Sequence, residues 1–287
     1  MILDFNENKP LAVVLGAGAM GLSVIRRVAT GAKVLLGDVS EASLDRSVEE
    51  LRYSGYDVEG MVVDAMDKDA VYAFAARAGE LGGVRWLVHT AGASPSQASP
   101  QFIIDLDLIG QAHALDAFAP VMVRGGAGLF VSSQAGHMDV PLNADDWDAL
   151  TFTPTDELRA LPCLQPDVIL NSGYAYIVAK RTNQLRVRTA AATTWAESGA
   201  RVNTISPSIV MTKVAYDEFA APGNTYQHMI EVGACRRVGT PDEIAAVSAF
   251  LLGPDATFIT GTDLLVDGGT IAALRSGVYH GRAGSRR

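Results

Sequence analysis

Apolar and polar residues along this chain follow two periods in turn, and each switch marks the end of one element and the start of another. Residues 11–15 are an unbroken apolar run, the pattern of a strand covered on both faces. Gly16, Gly18 and Gly21 follow, and then Leu22, Ile25 and Ala29 fall at helical spacing. Residues 32–37 repeat the strand pattern and stop at Asp38. Leu44, Val48 and Leu51 predict a helix over 40–53, residues 58–63 a third strand ending at Asp64, and 67–81 a helix closed by glycine. A fourth strand over 86–90 runs into Ala91 and Gly92, followed by a long helix over 101–123 and a fifth strand over 128–133. Residues 134–172 break this rhythm with prolines and an acidic knot at Asp145, Asp146 and Asp148, and predict an insertion with one or two short helices. The helical pattern resumes around 171–195, a sixth strand spans 202–206, 208–238 is irregular and apolar, 241–252 is helical, and 264–269 closes the sheet.

Strand and helix alternate with no linker and no repeat, which predicts an α/β fold: a single-domain, Rossmann-like, doubly wound parallel sheet of about seven strands with helices on both faces. The expected boundaries are an N-terminal extension over 1–10, a domain over 11–274 holding the insertion at 134–172 and a substrate loop at 208–238, and a flexible basic tail over 275–287.

The glycine turn between the first strand and helix lets the backbone approach a pyrophosphate, while the helix N-terminus offers free N–H groups. Glycine spacing alone is a weak signal. It gains weight from Asp38, 22 residues after Gly16, whose carboxylate can accept both hydroxyls of an adenosine ribose. The same carboxylate would repel a 2′-phosphate, and no Arg follows within seven residues, so NAD(H) is expected to be preferred over NADP(H).

Tyr176 and Lys180 lie one helical turn apart on one face. An ammonium beside a phenol stabilises the phenolate and turns a group of ordinary pKa ~10 into a usable general acid/base. Tyr174 projects away from the Lys face and is read as packing.

The formal net charge of −9 argues against a nucleic-acid surface. Cys163 and Cys235 lack metal or disulfide spacing, the five His are scattered, and no apolar run reaches membrane-spanning length. A cytoplasmic protein without metal, nucleic-acid or membrane partner is therefore expected, and the acidic knot lacks the glycine and terminal Glu of a calcium loop.

With these residues placed, the chain over about 11–269 resembles the classical short-chain dehydrogenase/reductase family. The matching features are the glycine turn, Asp64 after the third strand, Thr90-Ala-Gly92, Ser133 with Gly136 three residues on, Tyr176 with Lys180, the Arg201 to Pro207 stretch, and Val266-Asp-Gly-Gly269. The resemblance implies hydride exchange between a secondary alcohol or its ketone and a nicotinamide. It gives Tyr176 proton transfer, Lys180 the nicotinamide ribose and the Tyr pKa, and Ser133 the substrate oxygen. It also assigns cofactor contacts to Gly16, Gly18, Met20, Gly21, Asp38, Val39, Asp64, Ala65, Thr90, Ala91, Gly92, Tyr176, Lys180, Pro207, Ile209, Val210 and Thr212. A homodimer or homotetramer is expected.

Three departures stand out. The glycine spacing is Gly-x-Gly-x-x-Gly, the Ser133 to Tyr176 interval of 43 residues is long, as in bacterial 3α-hydroxysteroid dehydrogenase/carbonyl reductase, and Asp107 stands where the family commonly has the Asn that props a water-linked relay to the Lys. Asp107 is accordingly a fourth candidate catalytic residue. The apolar and Met content of 208–238 points to a bulky apolar alcohol or ketone. Two other functions remain open at this point: a sugar-nucleotide epimerase or dehydratase, and an NAD-binding sensor that has lost turnover.

Overall fold

The computed structural model describes residues 9–96, 98–220 and 226–277. Seven strands, β1 (Leu11–Leu15), β2 (Lys33–Asp38), β3 (Asp57–Val62), β4 (Val84–His89), β5 (Met122–Val131), β6 (Arg201–Pro207) and β7 (Asp263–Val266), form one sheet in the order β3-β2-β1-β4-β5-β6-β7. Every pairing is parallel. The helices are α1 (Ala19–Val28), α2 (Glu41–Tyr53), α3 (Lys68–Glu80), α4 (Pro100–Ile103), α5 (Gln111–Phe118), α6 (Ala144–Phe152), α7 (Ser172–Ala192), α8 (Thr194–Glu197), α9 (Lys213–Ala220), α10 (Tyr226–Val232), α11 (Pro241–Leu252) and α12 (Thr270–Ser276).

Alternation along each strand distributes the core between two faces. Leu11, Val13, Leu15 and Leu35 join Phe74, Leu115, Phe118, Val187 and Trp195 under α3, α5, α7 and α8, while Ala12, Val14, Val34 and Leu36 join Ile25, Leu44, Leu51, Ile244 and Leu251 under α1, α2 and α11. The strand order reverses between β1 and β4, and this switch point opens a crevice at the carboxyl edge, the usual ligand position in such sheets. That edge carries Asp38, His89 and Pro207, with Ser132 and Ser133 just beyond β5.

Four elements differ from the sequence expectation, the first being that residues 208–238, expected to be irregular, carry α9 and α10. The long helix over 101–123 is instead α4, a π-helical stretch Ile104–Gly110, α5 and a 3-10 turn Ala119–Val121; Pro120 cannot continue an α-helix. β5 starts at Met122 rather than 128, because its register to β4 jumps from Val84↔Met122 to Trp86↔Ala127 across a bulge that takes up Gly125 and Gly126. At the other end, Arg275, placed in the tail, is helical within α12. The remainder of that tail, and residues 1–8 of the N-terminal extension, lie outside the described residues.

The insertion contains α6 and 3-10 turns at Gln134–His137, Thr155–Ala160 and Pro162–Leu164. Its Leu150, Cys163, Leu164 and Ile169 build a satellite core with Ile103, Ile104, Leu108, Ala175, Val178 and Ala179, on the outer side of α4 and α7. Arg186 of α7 fastens it by donating to the carbonyls of Leu150, Thr151 and Thr153 at 3.2, 3.3 and 2.8 Å.

His89, at the end of β4, is wholly buried and stacked on Phe130, with ring centroids 5.4 Å apart at 19°. Neither ring nitrogen has a partner among the described residues. Burial, and then the nearby Lys180 charge, push its pKa down from 6.5 to about 3. The folded value lies below the unfolded one, so the contribution to stability is full above about pH 6.5 and is lost as pH falls toward 3, by at most about 1.4 kcal/mol per pH unit. His89→Leu is expected to flatten the stability profile between pH 6 and 4 by about that slope in denaturant titrations; parallel profiles would mean that His89 is not held neutral.

Candidate active site

The turn after β1 is built on Gly16, whose φ of +100° suits glycine and whose surroundings leave no room for a side chain, with the Ala91 amide beside it. Thr90 locks this turn by donating from Oγ1 to the Gly16 carbonyl at 2.6 Å, while the Thr90 and Ala91 amides reach the Leu15 carbonyl at 2.8 and 3.0 Å. Gly18 caps α1 without any side-chain bond and has open space where a Cβ would sit. The first turn of α1 therefore presents uncapped N–H groups into the crevice.

Asp38 stands beside this helix end. Its Oδ2 accepts from the Ala17 amide and its Oδ1 from the Ser40 amide, both at 2.9 Å. Each oxygen keeps further acceptor capacity, enough for two hydroxyls. An open helix N-terminus next to a fixed carboxylate suits the phosphates and ribose of a dinucleotide. Gly21 and Ala65 are buried, Met20 half-buried and Val39 exposed; Asp64 accepts from the Met66 amide.

Asn171 caps α7, accepting from the Tyr174 amide at 2.9 Å, and so sets the phase of the helix that carries both Tyr176 and Lys180. The Lys180 Nζ lies 5.2 Å from the Tyr176 ring centroid. It donates to Asp107 Oδ1 at 3.1 Å, and both side chains are buried. The Asp107 carboxylate also accepts from the Ala93 amide, and its main-chain carbonyl accepts from Asn183 Nδ2 at 2.7 Å. A side chain at Gly92 would collide with Asp107 Oδ1. Burial pushes the Asp107 carboxyl up against the opposing pull of Lys180. Burial would lower Lys180, but Asp107 and then Tyr176 reverse this, and its net shift is upward. Both members move in the direction of holding a proton, so they titrate as one unit.

Of the two serines beyond β5, Ser132 is engaged: its Oγ donates to the Lys180 carbonyl at 2.8 Å. The Ser133 Oγ accepts from the Ala135 amide at 3.1 Å, which leaves its proton available to a ligand. Tyr174, like Tyr176, packs half-buried against the satellite core, and burial, followed by Asp146 and Cys163, raises its phenol. On the far wall Pro207 and Val210 are buried, Ile209 is half-buried, and Thr212 Oγ1 accepts from the Ala215 amide at the start of α9. Asp64 and Thr212 accept bonds from amides in their own segments, and Ala65 is buried. Sequence reasoning missed the Ala93 amide and Asn183 as holders of Asp107, although Asn183 lies three residues after Lys180 and thus on its face.

A doubly wound parallel sheet with an open helix end, a carboxylate beside it, and Tyr, Lys and Ser at its carboxyl edge is an arrangement suited to a nicotinamide-dependent oxidoreductase. The chain matches the short chain dehydrogenase family profile over residues 10–145 and the profile described as enoyl-(acyl carrier protein) reductase over 165–270. Residues 146–164, between them, belong to the insertion. The short-chain dehydrogenase/reductase bsc3 of Alternaria brassicicola is 38% identical over 266 residues, covering 91% of this chain and 96% of that protein. Galactitol 2-dehydrogenase (L-tagatose-forming) of Cereibacter sphaeroides is 30% identical, with 92% and 96% coverage. The 3-alpha-hydroxysteroid dehydrogenase/carbonyl reductase of Comamonas testosteroni is 29% identical, with 67% and 75% coverage. The chain belongs to the short-chain dehydrogenase/reductase family, oxidoreductases of alcohols and ketones that use nicotinamide nucleotides.

Asp107→Asn removes the negative charge beside Lys180 and strengthens the pull of the ammonium on the Tyr176 proton. The pH optimum for alcohol oxidation is expected to move downward with activity kept. Thermal stability should fall, because breaking a buried pair from one side costs about 3–5 kcal/mol. Paired pH–rate and melting curves check this, and loss of activity at every pH would instead make the carboxylate indispensable to turnover.

Proposed function

We propose that this protein is an NAD(H)-dependent dehydrogenase/reductase that interconverts a secondary alcohol and its ketone, with a bulky apolar substrate. The observation that carries this reading is the buried Lys180 ammonium held over Tyr176 at the carboxyl edge, beside the open end of α1. When bound, the nicotinamide supplies the hydride acceptor or donor. The protein's own tasks are then to hold the reacting oxygen and to move its proton.

Ser133 donates to the substrate oxygen, Tyr176 takes or returns the hydroxyl proton, and Lys180 both stabilises the phenolate and holds the ribose. Asp107 sets the charge on Lys180. The residues that would bind the cofactor are Gly16, Gly18, Met20, Gly21, Asp38, Val39, Asp64, Ala65, Thr90, Ala91, Gly92, Pro207, Ile209, Val210 and Thr212, together with Tyr176 and Lys180. The enzyme acts in the cytoplasm as a homo-oligomer; Phe250, Phe258 and Leu264 expose apolar surface near the edge strand β7, where a second copy would bury it.

The bulky substrate is supported by the apolar wall after β6, where Val210, Ala215 and Met229 are buried and Phe219 meets Tyr226 edge-on at 5.9 Å. The hydroxysteroid enzyme among the relatives agrees with it. The polyol enzyme, with higher identity and coverage, favours a small polar substrate as the second reading.

Tyr176→Phe is expected to retain NADH binding, read by nucleotide fluorescence, while turnover falls about 10² to 10⁴-fold. Near-normal activity would remove Tyr176 from the mechanism. For the coenzyme and substrate, kcat/KM should be higher with NADH than with NADPH, and should rise with apolar size across a ketone series, since ~100 Å² of added apolar burial is worth roughly 2.5 kcal/mol. Equal use of NADPH would contradict the assigned role of Asp38, and a preference for polyols over fused-ring alcohols would establish the second reading.

A further inference from the structure

A second polar group lies beneath the site and takes no direct part in the chemistry above. His137 Nε2 meets Asp263 Oδ2 at 2.7 Å. Asp263 Oδ1 accepts from Thr204 Oγ1 at 2.6 Å and from Ser206 Oγ at 2.8 Å. Ser206 Oγ in turn accepts from Gln184 Nε2 at 2.9 Å, and the same amide reaches Ser132 Oγ at 3.3 Å. Ser132 closes the chain on the Lys180 carbonyl. These bonds join the turn after Ser133, strands β6 and β7, and helix α7.

The turn packs on α7, and His137 adds a side-chain bond to the sheet. Within residues 133–138 the bonds are local: Gly136 N to Ser133 O, Met138 N to Ala135 O, and Ala135 N to Ser133 Oγ. Gly136 rests so closely on Gln184 and the Arg181 amide that a Cβ there would overlap them. His137 fastens the far end of this turn to the sheet, and Asp263, nearly buried, has no other partner for Oδ2 among the described residues. Because Asp263 accepts, the His137 proton sits on Nε2 in the neutral ring. The Arg275 guanidinium adds a bond to the His137 carbonyl at 3.4 Å.

We propose that His137 and Asp263 are positioning residues for Ser133: their bond fixes the turn that sets where the Ser133 hydroxyl points. This rests on the reading that Ser133 donates to the substrate oxygen. Asp38 on β2 and the α1 end after β1 are separated from β6 and β7 by β4 and β5, so the clamp does not reach them; of the cofactor's proposed holders it adjoins Lys180 and the segment after β6. A displacement of about 1 Å at a reacting group costs on the order of 10²-fold in rate.

The test is a cycle of His137→Ala and Ser133→Ala, read by kcat, KM and NADH fluorescence, with His137→Gln as the variant that keeps a donor. His137→Ala is expected to lower kcat about 10 to 100-fold while the NADH Kd changes less than about twofold, and His137→Gln to recover most of the loss. In the Ser133→Ala background the same change should cost less than about twofold, since a residue that acts through Ser133 has nothing left to place. If His137→Ala fails to fold, Asp263→Asn enters the cycle in its place. A full loss retained in the Ser133→Ala background, or an unchanged kcat in His137→Ala while Ser133→Ala is impaired, overturns the clamp and leaves the role of Ser133 standing. An unimpaired Ser133→Ala enzyme overturns both.

Discussion

An ammonium ion with no access to water needs an opposing charge at bonding distance, because burying either ion alone costs several kcal/mol. Lys180 meets that condition through Asp107, and much of the local structure serves the pair. Gly92 has no side chain because the carboxylate lies against it; the Ala93 amide and Asn183 hold the acid from two sides; and the helix widens to a π stretch where Asp107 enters. None of these is a strong stabiliser alone. Together they fix a charge whose distance from Tyr176 determines what that phenol can do.

The same requirement explains why α7 is held from two directions. On its outer side the insertion packs Leu150, Leu164 and Ile169 against Ala175, Val178 and Ala179, and Arg186 ties down three carbonyls of the inserted segment. On its inner side Gln184 and the Lys180 carbonyl join the hydroxyl and carboxylate network of β6 and β7. A helix packed only by apolar contacts can slide by fractions of an ångström at little cost. One that also spends directional hydrogen bonds on both neighbours cannot.

How much of this was legible depended on whether a feature is local. The strands under both helix layers are plain apolar runs, so residues 11–15, 32–37 and 58–63 were read nearly to the residue. Tyr174 was separated from Tyr176 by helical phase alone; both rings are half-buried against the satellite core, and it is the Tyr176 ring that the Lys180 Nζ lies over. What escaped was set by tertiary contact: the early start of β5 at Met122, the π stretch within an apparently continuous helix, and the docking of the insertion on the outside of α4 and α7. His137 and Asp263, 126 residues apart, carry no local signal of their pairing. Asp107 was visible as a departure from the family pattern, but only the structure shows that its carboxylate meets Lys180 directly.

That direct contact changes the logic of the proton path under the proposed chemistry. Where the family has asparagine, the Lys is served by a water-linked relay. Here the Asp107 carbonyl is taken by Asn183 and its carboxylate by Lys180 and Ala93, so the nearest group able to hold a proton beyond the ammonium is the acid itself. Burial raises that acid, and the acid raises Lys180, so the two groups form one coupled pair shielded from bulk solvent. The pair therefore sets the charge beside the Tyr176 ring through burial and one 3.1 Å contact, and does so whatever the substrate is.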